Sequence, residues 1–198
     1  MYNPAMAVEY ESESPAAPRS GLGRYRESDY FALPEEPRCE LVYGRLLVTP
    51  SPSVRHQEVL VRLARTLGEV ADRIGARLLV APVDVVLSRH SVVQPDLLLV
   101  TAARSSILQE RVEGAPDLVV EILSPATARR DLGEKLRLYA EAGVAEYWIV
   151  DPAARTFEFL AANDGAFLVR LAGEGRYRSA AIPGLEIDLE SFWRAIPD

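Results

Sequence analysis

The chain has 198 residues, 48% of them hydrophobic and 26% charged, and carries a net charge of −7. That length suits one domain with tails, and that apolar content can build a real core. The single cysteine, Cys39, excludes an internal disulfide and any multi-cysteine metal site. No run reaches the ~20 apolar residues needed to span a bilayer and no signal pattern opens the chain, so a cytoplasmic protein with no membrane attachment is expected. The acidity is uneven. Residues 1–18 carry −3 and residues 183–198 another −3, leaving −1 of the −7 on the body. A local arginine patch can therefore outweigh the total, since screening acts over roughly 8 Å at physiological salt.

Residues 1–23 are rich in Ser, Glu, Pro and Ala without apolar periodicity, which predicts a disordered tail and a domain over 24–198. Removing such a tail should leave the melting temperature nearly unchanged. Arg24 to Leu33 can form a short helix. "CELVYGRLLV" predicts a hairpin turning at Tyr43-Gly44, and "TPSPS" a turn that starts a helix. From Val54 to Ile74, His56, Leu60, Leu63, Leu67, Val70 and Ile74 fall on one stripe at helical spacing; Glu58 falls outside it. Strand-like runs follow: "RLLVAP", "VDVVL", "DLLLV" and "DLVVEIL". The last two are apolar throughout, as in strands buried on both faces. A second helix is predicted over Ala128 to Ala142, stopped by Gly143 and started by Ser124 or Thr127. "EYWIVDP" and "RTFEFLA" predict a strand, a turn at Asp151-Pro152 and another strand. "AFLVRLA" and a short helix near Leu189 to Ala195 close the chain. The expected class is α/β (α+β): a mixed sheet with helices packed on it.

Two features of "EILSPATARRDLGEKLRLY" point to chemistry. Glu121 sits inside the apolar run Leu118 to Leu123, and Lys135 is the only lysine of the chain, the other 21 bases being arginine. A buried carboxylate alone is costly and takes up a proton; a divalent cation removes that cost, and so does a paired arginine. "VVQPDLLLV" sets Asp96 at the start of another buried strand. If the two strands are neighbours, Asp96 and Glu121 lie side by side, with Cβ atoms roughly 4.5–5.5 Å apart. Two such carboxylates suit one hard cation. Asp117, in a second Pro-Asp, is four residues before Glu121 on one strand. That is roughly 13 Å at ~3.3 Å per residue, too far to share an ion. Lys135 either reaches back over Glu121 or forms a surface pair with Asp131. His56 is either a satisfied core histidine or a support to the site.

These stretches, with "SPSVRHQEVLVRL" and "APVDVVL", resemble the Uma-type restriction endonuclease family, formerly a domain of unknown function, of the PD-(D/E)XK nuclease superfamily. The resemblance runs from Arg24 to the C-terminus. It implies a restriction-endonuclease-like mixed β-sheet flanked by helices. It further implies an endonuclease that hydrolyses DNA with Mg²⁺ or Mn²⁺. Carried over by residue, Asp96 and Glu121 would bind the metal and Lys135 would be the catalytic lysine. Glu40 matches an acidic residue near such sites. The superfamily's usual lysine falls at Leu123 here, so Lys135 would be its migrated replacement. His56, Gln94, Asp131 and Tyr139, with Asp84, would support the site. Arg129, Arg130 and Arg137 would contact the DNA backbone. A homodimer fits double-strand cleavage. Two other readings stay open: a nucleic-acid-binding accessory protein that has lost cleavage, and a metal-dependent hydrolase of another substrate.

Overall fold

The computed structural model describes residues 22–197; most of the expected tail, residues 1–21, lies outside them. The body begins by Gly23, whose N–H donates to the Tyr43 carbonyl. Gly23 lies backbone to backbone on Gly44, and a Cβ there would stand 2.2 Å from the Gly44 oxygen. A short helix, α1 (Glu27–Tyr30), follows. Strands β1 (Cys39–Val42) and β2 (Arg45–Val48) then form the expected antiparallel hairpin. Its turn residues Tyr43 and Gly44 both take positive φ, 49° and 77°, the hand that matches strand twist.

Helix α2 (Val54–Ile74) has the predicted bounds. Ser53 caps it by accepting from the His56 N–H, and Gly75 ends it in the left-handed conformation. After it come β3 (Arg77–Val80), β4 (Val85–Ser88), β5 (Ser91–Val93) and β6 (Leu97–Val100). A 3₁₀ turn over Ala102–Ile107, β7 (Val112–Glu113) and β8 (Leu118–Ile122) lead into the second helical run. That run is α3 (Ala128–Arg130), a π-helical segment (Asp131–Lys135) and α4 (Leu136–Ala142), closed by Gly143 at φ 82°. Ser124 does the capping: its Oγ accepts the Thr127 N–H. β9 (Glu146–Asp151), β10 (Thr156–Asn163), β11 (Ala166–Arg170), β12 (Arg176–Arg178), β13 (Glu186–Asp188) and α5 (Leu189–Arg194) complete the chain.

The strands divide between two main sheets where one was expected. A six-stranded mixed sheet runs β11-β10-β9-β8-β6-β3, and a five-stranded one β2-β1-β5-β4-β7; β12 and β13 pair separately. β8 and β9 are parallel, joined by the second helical run as crossover. Strands β5, β7, β12 and β13, of two or three residues each, escape the sequence reading because they are too short to show alternation.

Alternation sorts the central strands between two cores. Leu97, Leu99, Leu118, Val120 and Trp148 join α2 and the C-terminal elements on one face. Leu98, Val100, Val119, Tyr147 and Ile149 join Val42, Leu47 and Tyr139 on the other. The central sheet is thus covered on both sides, which is why β6 and β8 are apolar in both phases. By the same alternation Glu121 shares the Val119 face, toward α4 and the hairpin.

Candidate active site

β6 and β8 are antiparallel neighbours, with Leu97 opposite Val120 and Leu98 opposite Val119. The same register carried one residue further sets Asp96 opposite Glu121. Asp96 just precedes β6, behind Pro95, where a proline costs no ladder bond. Its Oδ2 accepts the Ile122 N–H at 2.7 Å and lies 3.1 Å from His56 Nε2. His56 comes from the first turn of α2 and is buried, so the stripe that covers the sheet also delivers a partner to Asp96.

Lys135 is 2% exposed. Its Nζ lies 2.8 Å from Glu121 Oε1, 2.9 Å from Glu40 Oε1 and 3.7 Å from Asp131 Oδ1. Asp131 is buried as well, so the surface-pair reading of Asp131 and Lys135 is overturned. Tyr139, one turn further along α4, donates to Glu121 Oε1 at 2.6 Å. The hairpin supplies Glu40, whose Oε1 also accepts the Gln94 N–H at 2.7 Å. Gln94 in turn donates to Asp84 at 2.9 Å and accepts from Arg38. A clamp between Arg45 and Glu134, 2.7 Å long, ties the hairpin to the π-helical segment.

Four carboxylates thus crowd two fixed cations, Lys135 and Arg130. Burial pushes the Glu121 carboxyl up to about 8; the Lys135 ammonium opposes this, while Asp131, Asp96 and Glu40 add to it. Burial raises the Asp131 carboxyl as well, against Lys135. Burial would also raise Glu40, but Lys135, Arg130 and the Gln94 N–H outweigh it and hold that carboxyl below its usual range. Burial disfavours the Lys135 ammonium, but Glu121, Glu40 and Asp131 overcome this and raise its pKa. That balance favours the ammonium over the free amine. Burial lowers and Asp96 raises the His56 imidazole, with the net shift upward.

These groups line a cavity of about 100 Å³, room for several waters. The hydrogen bonds of Asp96 fall on Oδ2 and those of Glu121 on Oε1. Asp96 Oδ1 and Glu121 Oε2 therefore carry no hydrogen bond among the described residues. Two hard oxygens on a shared cavity, in a cluster with excess negative charge, fit a divalent cation completed by water. Among the described residues no three His, Cys, Asp or Glu side chains form a ready-made cage, and Mg²⁺ commonly needs only one or two carboxylates.

Other expected residues fall elsewhere. Arg130 is 6% exposed and turns inward, 3.6 Å from Glu40 Oε2; it is an internal counter-charge rather than a surface contact. Arg129 and Arg137 remain exposed, the latter paired with Glu141 at 2.7 Å. Asp117 anchors the segment after β6 by accepting the Thr101 N–H at 2.7 Å. Asp151 caps its own turn, and Glu58 is exposed. Leu123, past the end of β8, lines a neighbouring cavity and not this one. The sequence reading missed Arg38, which also lines this cavity. Its two-residue spacing from Glu40 was the available signal, since residues i and i+2 share a strand face.

The fold and this pocket define a restriction-endonuclease-like α/β protein, mixed sheets flanked by helices. Residues 27–190 match the family described as "Uma2: Putative restriction endonuclease", and the chain belongs to that family. The crystal structure of "a putative nuclease belonging to DUF820", from Anabaena variabilis, is similar at a TM-score of 0.72. The similarity covers 86% of this chain and 98% of that one at 17% identity, a level at which the likeness speaks for the fold alone. Comparison with curated proteins gives no match. No helix among the described residues is long and apolar enough to cross a membrane.

Proposed function

We propose that the protein is a cytoplasmic, divalent-cation-dependent endonuclease that hydrolyses DNA phosphodiester bonds, working as a homodimer and related in mechanism to the PD-(D/E)XK superfamily. One observation carries this reading. Asp96, Glu121 and the chain's only lysine converge on one cavity, with an oxygen of each carboxylate left without a hydrogen bond among the described residues. Asp96 and Glu121 would hold Mg²⁺ or Mn²⁺, which would supply Lewis-acid polarisation of the phosphate and acidify a water.

The chain's own residues do the rest. His56 and the Ile122 N–H fix Asp96 by one oxygen, and Lys135 and Tyr139 fix Glu121 by one oxygen, so the second oxygen of each is presented in a set orientation. Lys135, held by Glu121, Glu40 and Asp131, would stand as a positive charge beside the reacting phosphate. Glu40, Asp131 and Arg130 set how that charge is balanced.

Supercoiled plasmid incubated with pure protein tests the reading. Cleavage should require Mg²⁺ or Mn²⁺, stop with chelator, and be lost in Asp96→Asn. Calorimetry should show the cation site lost in Asp96→Ala; unchanged metal affinity there removes Asp96 and Glu121 from the role. A second reading, a DNA-binding protein without cleavage, draws on Leu123, which leaves the superfamily's usual lysine position apolar. Metal-independent DNA binding with an uncut plasmid would favour it.

A further inference from the structure

A second cavity, about 640 Å³, opens beside the first. Pro50, Ser51, His56 and Ser124 line both, so the two adjoin. Three loops build it: the segment entering α2, the segment leaving β8, and the turn between β9 and β10. Its walls are apolar and stiff, with Pro50, Leu123, Pro125, Ala126, Pro152 and Ala153. Among the described residues its charged lining members are Arg55 and Arg155. Each arginine is anchored on a C-terminal carbonyl, Arg55 on Pro197 and Arg155 on Trp193. That anchoring fixes where the two positive charges stand.

We propose that this cavity receives one unpaired deoxynucleoside next to the phosphate at the acidic cavity, so that the substrate is single-stranded or locally opened DNA; the inference rests on the nuclease reading. The argument is one of surfaces. A stacked, paired base shows a protein only its polar edges in the grooves. Only an unstacked base offers apolar faces to a wall of proline and leucine. The volume lies in the ~300–1,000 Å³ range of sites that enclose a small ligand. A nucleoside alone would need no cation, but its flanking phosphates do, and Arg55 stands among the lining residues to meet them. Leu123 then has a function: where the superfamily pattern has lysine, this chain presents an apolar side chain to the base.

The test uses the full chain with Ca²⁺ in place of Mg²⁺ and a short fluorescent oligonucleotide, single-stranded or as blunt duplex, in anisotropy titrations. Wild type should bind the single strand at least about fivefold more tightly than the duplex, the low end of what stacking one base contributes. Leu123→Trp, which fills the cavity, should erase that preference. Ala153→Trp, on an exposed turn where folding is not at stake, reads the same cavity and should act alike. Equal affinities in wild type, or a preference that survives both tryptophans, overturns the inference. Plasmid cleavage untouched by either variant overturns it while leaving the nuclease reading in place. Cavity-dependent single-strand binding without cleavage supports it and sinks the nuclease reading instead.

Discussion

Two glutamates are buried in neighbouring strands of one sheet, and they teach opposite lessons. Glu146, at the start of β9, is 0% exposed. Its carboxylate accepts from Tyr177 Oη at 2.5 Å, from the Ala180 N–H at 2.9 Å, and from Ser179 Oγ. Neutral donors satisfy it, and it pins the β12 region onto the central sheet. Glu121 is 4% exposed; its bonds converge on one oxygen and its other neighbours include three carboxylates. Burial of a carboxylate is therefore no mark of a site. Incomplete satisfaction in a field of like charge is.

The comparison breaks first at Lys135. With the ammonium buried among three carboxylates, Lys135→Ala should lose about 3–5 kcal/mol in urea unfolding and, on the proposed function, its cleavage as well. Cleavage near the wild-type rate by folded Lys135→Ala protein would remove the lysine from the mechanism. Lys135→Arg should rescue poorly, because a planar guanidinium cannot occupy the place of a compact ammonium.

Exchanging the two glutamates sharpens the contrast. Glu146→Gln sets an amide among three donors and should cost about 1–3 kcal/mol, with cation binding intact by calorimetry. Glu121→Gln should abolish cation binding. If Glu146→Gln also removed cation binding, the division between structural and chemical carboxylate would fail.

The pH dependence gives a third test. In the cation-free protein the folded Glu121 carboxyl titrates at about 8, against ~4.3 when unfolded. Between those values the folded state holds a proton that the unfolded state has released, so stability falls as pH rises. One such proton gives a slope of about 1.4 kcal/mol per pH unit. The upward shifts of Asp131 and His56 act in the same direction. Melting temperatures across this range, in chelator, should decline, and Glu121→Gln should flatten the slope. Stability that rises over the range would contradict the crowded-carboxylate picture. The smallest effect belongs to the surface: Arg137→Ala breaks an exposed pair with Glu141 and should change stability by less than about 0.5 kcal/mol.

The sequence by itself determined the long elements and the acidic motif. Helix α2, the hairpin, and β6 and β8 follow from local periodicity, turn residues and caps, which need no knowledge of remote partners. Asp96, Glu121 and Lys135 stood out because each breaks a local pattern: a carboxylate in an apolar run, a lone lysine among arginines. Only the tertiary structure decided that β1 and β2 leave the central sheet and carry Glu40 to Lys135, that Arg130 turns inward while Arg129 and Arg137 stay outside, and that Glu146 finds three donors more than 30 residues away. Those outcomes depend on pairings between segments far apart in the chain, where burial and charge balance are set by what arrives from elsewhere.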